Sequence, residues 1–254
     1  MLEKARKYEM EESMKITQDN RPVYHFSNPV GWMNDPNGFS EYKGEHHLFF
    51  QYYPYATHWD SMHWGHAKSV DFIKWEYLPV ALAPDQDYDN FGVFSGSAIE
   101  DGEKQLLIYT GVEEKAAPNG EKCIRQNQCV AIGYGVDYEK IENNPAVTAD
   151  MLPEGSSLED FRDPKVWKEN GKYYMVVGSR HSDGSGQIAL FCAEKPEKWE
   201  FAGILDRSEN KIGRMWECPD FYPLDGKQVL MISPQEMEAE GLEFHNGNNT
   251  AFLI

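Results

Sequence analysis

Long apolar runs are missing from this 254-residue sequence. None approaches the roughly 20 residues that a helix needs to cross a bilayer. The stretch from Met1 to Ile16 is charged throughout and lacks the apolar core of a signal peptide. Cysteine is scarce as well. Cys123, Cys129, Cys192 and Cys218 match no zinc or redox spacing, and without a secretory leader they read as free thiols of a cytoplasmic protein. Positive charge is the third shortage: 24 Lys and Arg stand against 42 Asp and Glu, a formal net charge of -18. Such a surface repels phosphate backbones and anionic lipid, which argues against nucleic acid and membranes as partners. No phosphate-cradling glycine loop is present. His58, His63 and His66, with His46 and His47 nearby, fall on different strands and turns of a β pattern, whereas a metal site needs convergent ligands.

Aromatics, by contrast, are plentiful, with 7 Trp, 14 Tyr and 13 Phe. They suit β-rich folds, and their faces also suit the stacking of sugar rings. Residues 1–20 read as an N-terminal helical segment and 21–254 as one β domain. Within that domain a unit repeats: a polar strand start, a strand, a glycine turn and a further strand. Asn34-Asp35-Pro36 precedes the turn at Lys43-Gly44, and Phe94-Ser95-Gly96-Ser97 precedes Asp101-Gly102. Arg162-Asp163-Pro164 precedes Asn170-Gly171, and Glu217-Cys218-Pro219 precedes Asp225-Gly226. The steps from Pro36 to Ser97, Pro164 and Pro219 are 61, 67 and 55 residues. Later strands complete the units, with Trp75-Glu76-Tyr77 and Trp199-Glu200-Phe201 as matching outer strands. Four strands per repeat of this length predict an all-β propeller.

In a propeller the first strand of every blade lines the central channel, so the polar starts share one mouth. That brings Asp35, Asp163 and Glu217 together across 182 residues of sequence. Two carboxyl groups suffice to cleave a glycosidic bond, one attacking and one protonating the leaving oxygen, and a third can stabilise developing positive charge. Glu217, between Trp216 and Cys218, is the one expected to be buried with a raised pKa.

These residues resemble the motifs of glycoside hydrolase family 32, the invertases, inulinases and sucrose-6-phosphate hydrolases. Gly31-Trp32-Met33-Asn34-Asp35-Pro36-Asn37-Gly38 looks like its sucrose box, and Phe94-Ser95-Gly96-Ser97, Phe161-Arg162-Asp163-Pro164 and Trp216-Glu217-Cys218-Pro219 are similar to its later motifs, in family order. The resemblance implies a retaining β-fructofuranosidase with Asp35 as nucleophile, Glu217 as acid and base, and Asp163 as transition-state stabiliser beside Arg162. It implies that Asn34, Gln51, Trp59, Phe94, Ser95 and Arg162 line the fructose pocket. The substrate would be sucrose, its 6-phosphate or a short fructo-oligosaccharide, with no metal or organic cofactor. Fructan hydrolysis, fructosyl transfer and non-catalytic sugar binding are the alternative readings. Lys68, Arg125 and Arg180 are the cations considered for a phosphate. The family fold has five blades and usually a C-terminal β-sandwich, so the expectation is a propeller truncated within blade four, open to self-association along its exposed edge.

Overall fold

The computed structural model describes residues 1–17, 19, 21–116 and 120–254. One helix, α1 (Leu2–Ser13), precedes four antiparallel sheets. It ends earlier than the 1–20 segment expected from sequence, of which residues 18 and 20 lie outside the described residues. No helix among the described residues is long and apolar enough to cross a membrane.

Blade one contains β1 (Trp32–Tyr42), β2 (Glu45–Tyr53), β3 (His63–Ser69) and β4 (Glu76–Leu82). Blade two contains β5 (Gly92–Asp101), β6 (Lys104–Ala116), β7 (Lys122–Gly133) and β8 (Tyr138–Lys140). Blade three contains β9 (Ser156–Glu169), β10 (Lys172–His181), β11 (Gly186–Lys195) and β12 (Lys198–Arg207). Blade four is a three-stranded sheet of β13 (Met215–Leu224), β14 (Lys227–Gln235) and β15 (Ala251–Leu253). Each sheet is a meander from its innermost strand outward. The innermost strands follow one another around an axis, β1 against β5, β5 against β9 and β9 against β13.

All four predicted glycine turns are two-residue hairpins, flanked by the pairs Tyr42–Glu45, Asp101–Lys104, Glu169–Lys172 and Leu224–Lys227. In three of them both turn residues have positive φ, as at Asn170 (φ 50) and Gly171 (φ 82), the geometry that matches strand twist.

Alternation along the strands builds the core. Leu107 and Tyr109 of β6 face blade one, packing with Phe49 and Trp64. Their neighbours Leu106 and Ile108 face blade three, packing with Phe161, Met175 and Phe191. Val176 and Ile188 then meet Trp216, Leu230 and Ile232 of blade four. Helix α1 seals the outer face of blade one by setting Ala5 against Phe50, Tyr52 and Val80.

One feature departs from the sequence expectation. The polar motifs are not strand starts but lie inside long inner strands, where each strand carries one extra residue. Asn34-Asp35 oppose Gln51, and Ser95 is inserted between the pairs Phe94–Thr110 and Gly96–Tyr109. Asp163-Pro164 oppose Val177, and Cys218-Pro219 oppose Ile232. Proline supplies no N–H to a ladder, and a bulge is where a sheet tolerates it. The same irregularity therefore recurs in every blade at the same height.

Candidate active site

The four bulges re-aim side chains toward the axis. Asp163 (φ 64) and Cys218 (φ 46) occupy left-handed backbone that costs a non-glycine residue roughly 1–3 kcal/mol and persists only where surroundings impose it. Close inter-blade approach contributes to that imposition. Gly178 of β10 lies under the Trp216 carbonyl, and a Cβ there would stand 2.2 Å from that oxygen. Blade four thus settles against blade three with Glu217 next to the contact.

Asp35 is exposed at the mouth, and Ser95 Oγ of blade two donates to its Oδ2 at 3.0 Å. In the amide orientation that satisfies its neighbours, Asn37, only 2% exposed, donates to Ser95 Oγ at 3.1 Å and accepts from Gln51 Nε2 at 2.9 Å. Gln51 also donates to the Val93 carbonyl at 3.0 Å. It is 2% exposed, so it lies beneath the mouth as a support of Asn37 and blade two. Asn34 is exposed and accepts from Trp32 Nε1 at 2.8 Å. Trp59 and Phe94 meet edge to face with ring centres 5.8 Å apart, and Trp59 keeps much of its surface open.

Across the funnel, Arg162 donates from Nε (2.9 Å) and Nη2 (2.8 Å) to the same Glu217 oxygen, Oε1. Its Nη1 donates to Asp160 at 3.1 Å. Asp163 is 8% exposed and accepts the Cys218 backbone N–H at 3.0 Å, with the Cys218 sulfur 3.5 Å away. Burial pushes the Asp163 carboxyl up to about 6; Arg162 opposes this, and the charges of Glu217 and Asp35 reinforce it. The sequence placed the buried acid at Glu217, but the structure buries Asp163 and gives Glu217 a guanidinium partner. Cys218 is exposed as a residue, yet enclosure of its sulfur, followed by the fields of Asp163, Asp35 and Glu217, pushes its thiol up. The fields of all three carboxylates reach that one sulfur, and Asp163 alone touches it.

Sequence reasoning missed Asn37, Thr110, Gln126, Gln128 and Asp160 as parts of this assembly. The available signal was the polar run Arg125-Gln126-Asn127-Gln128, placed directly ahead of the apolar Cys129-Val130-Ala131-Ile132 in β7. Of the three cations considered for phosphate, Lys68 lies toward the far end of blade one, paired with Glu45 at 3.0 Å. Arg125 pairs with Asp150 at 3.0 Å, and Arg180 lies 3.9 Å from Asp160 and 3.7 Å from Glu236. All four cysteines are free.

Residues 25–254 match the family described as the glycosyl hydrolases family 32 N-terminal domain. The chain belongs to glycosyl hydrolase family 32. It is 44% identical over 245 residues to a sucrose-6-phosphate hydrolase of Zymomonas mobilis, covering 92% of this chain and 46% of that protein. It is 41% identical over 226 residues to a raffinose invertase of Escherichia coli, covering 89% and 46%. Among solved structures, a family 32 β-fructofuranosidase of Bombyx mori, crystallised as a mutant with sucrose, superposes with a TM-score of 0.87 at 39% identity. That match covers 99% of this chain and 52% of the other. The chain thus spans about half the length of the family 32 relatives it matches.

Proposed function

We propose that this chain carries the catalytic centre of a retaining glycoside hydrolase that releases fructose from terminal β-fructofuranosyl bonds of sucrose or sucrose-6-phosphate. The observation that carries this reading is the convergence of Asp35 and Asp163, in the bulges of blades one and three, and of Glu217, beside the bulge of blade four, onto one funnel. The names of its family relatives support the substrate class.

In the first step an Asp35 oxygen attacks the fructosyl anomeric carbon. The bond from that carbon to the leaving oxygen breaks, and the leaving oxygen takes a proton from Glu217. In the second step water gives a proton to Glu217, attacks the same carbon and releases Asp35. Retention by this route needs the two carboxyl groups about 5–5.5 Å apart. Arg162 takes only Oε1 of Glu217, leaving Oε2 to carry the transferred proton. Asp163, held by the Cys218 N–H, faces the fructose hydroxyls and the charge that develops on the ring.

The four blades are read as part of a five-bladed ring. What supports this is that β1, β5, β9 and β13 contact one another in sequence, with no comparable contact of β13 with β1 among the described residues. The acidic surface and free thiols support a cytoplasmic setting. The test is Asp35→Asn. Sucrose turnover should fall at least about a thousandfold with the thermal midpoint kept, as expected when a nucleophile is removed. Near-normal turnover by that variant would overturn the assignment.

A further inference from the structure

The axis-facing edge of an innermost strand has no strand beside it, so its backbone N–H and C=O groups must find other partners. In blade three that edge is Phe161 to Asp163, and blade two supplies the partners from side chains. The Phe161 N–H donates to Gln126 Oε1 at 3.0 Å, and the Phe161 carbonyl accepts from Gln128 Nε2 at 2.8 Å. The Asp163 N–H donates to Thr110 Oγ1 at 3.0 Å. Gln126 and Gln128 are alternate residues of β7 and share one face, and Thr110 is the direct cross-strand partner of Gln128. The Thr110 hydroxyl lies 2.9 Å from Gln128 Oε1 and 3.1 Å from the carbonyl of Ser95, the residue that holds Asp35.

Thr110 and Gln128 are both fully buried, in strands whose neighbouring residues Ile108 and Val130 belong to an apolar core. Packing alone would be served as well by valine and methionine. Polar atoms at this depth cost free energy unless they are fully partnered, and here, besides Ser95 and each other, the partners are backbone groups of one segment. That segment holds Asp163 in left-handed backbone and carries Arg162, the partner of Glu217.

We propose that Thr110 and Gln128 are positioning residues: a side-chain ladder from blade two that fixes the Phe161–Asp163 backbone and, through it, the placement of the Asp163 carboxylate. The proposal rests on the reading of Asp163 as part of a fructosidase centre. Displacing a stabilising group by about 1 Å costs on the order of a hundredfold in rate, so the ladder acts on turnover rather than on substrate binding.

The test compares Thr110→Val, which keeps the shape and loses the hydroxyl, with Thr110→Ser, which keeps the hydroxyl. Gln128→Met serves in the same role if Thr110→Val does not fold. One readout is independent of turnover: the carboxyl carbon titration of Asp163 by NMR, assigned with Asp163→Asn. The second is kcat and KM on sucrose. Thr110→Val should move the Asp163 midpoint downward by about half a unit or more as the bulge relaxes toward water. It should lower kcat by roughly tenfold to a hundredfold, with KM changed less than about threefold. Thr110→Ser should restore both. A Thr110→Val protein with wild-type titration and kcat would overturn the proposal, as would a Thr110→Ser protein that falls as far as Thr110→Val. If the unmutated chain does not turn over fructosides, the functional reading fails, and the titration alone decides whether the ladder positions Asp163.

Discussion

The interior of blade one and the floor of the funnel both bury ionisable groups, but on different terms. In blade one, His47, His63 and His66 are at most 2% exposed, and His47 Nδ1 lies 2.9 Å from His66 Nε2. His66 stacks flat on Phe49 with ring centres 4.0 Å apart. Burial lowers the pKa of all three, that of His63 to about 4, and the rings act as neutral aromatic filling. His47 Nε2, His63 Nε2 and His66 Nδ1 have no hydrogen-bond partner among the described residues. At the funnel floor every contact is directed: Asp163 accepts from Cys218, its own N–H is held by Thr110, and its neighbour Arg162 grips Glu217. Blade one accepts unpaired nitrogens for packing, whereas the funnel accepts strained backbone and a costly buried carboxylate for placement. The difference is that between a site selected for stability and one selected for position.

After the loss expected for Asp35→Asn, the largest effect lies at Glu217. Glu217→Gln should lower sucrose hydrolysis by roughly a thousandfold. It should lose far less on a fructoside whose leaving group needs no proton. Equal losses on both substrates would remove the acid role.

Asp163→Asn should cut turnover and yet stabilise the fold. The Asp163 pKa is raised from 3.8 to about 6, so the folded state disfavours its charge. Its stability contribution is fully present below pH 3.8 and is lost as pH rises through about 6. The substitution should therefore gain up to about 3 kcal/mol above pH 6, with no gain near pH 3.8. Denaturation at pH 8 and pH 4 checks this, and a destabilised variant at pH 8 would contradict it.

His63 should show the opposite slope. Its pKa is lowered from 6.5 to about 4, so its contribution is present above pH 6.5 and lost as pH falls through about 4. His63→Gln should flatten that acid limb by up to about 3 kcal/mol, read from urea midpoints between pH 7 and pH 4. An unchanged limb would show that other groups set the acid sensitivity.

The smallest effect should come from Ser95→Ala, which removes one hydrogen bond to the exposed Asp35. A loss of about threefold to tenfold in kcat is expected, the worth of a single partly solvated hydrogen bond. A loss as large as that of Glu217→Gln would place Ser95 in the chemistry itself.

The repeat, its four hairpins and the convergence of the carboxylates were legible in the sequence because glycine turns and polar motifs recur at near-constant spacing. The bulges were less legible. Pro36, Pro164 and Pro219 read equally well as strand starts, and only the pairing register shows them within ladders. His63 and His66 turned out to share β3 rather than to occupy different elements, since a histidine stacked on phenylalanine leaves no polar pattern to read. The location of the buried acid was not legible at all. Glu217 has the apolar sequence neighbours, but Asp163 is the one that the third dimension covers.

The role of Asp35 as nucleophile is measured most directly by peptide mapping by mass spectrometry of the Glu217→Ala variant after exposure to a fructofuranosyl donor with an activated leaving group. The second step is then slow for want of a base, and a single fructosyl group is expected on the peptide carrying Asp35. A fructosyl group on Asp163 or elsewhere, or turnover with no covalent adduct, would contradict it.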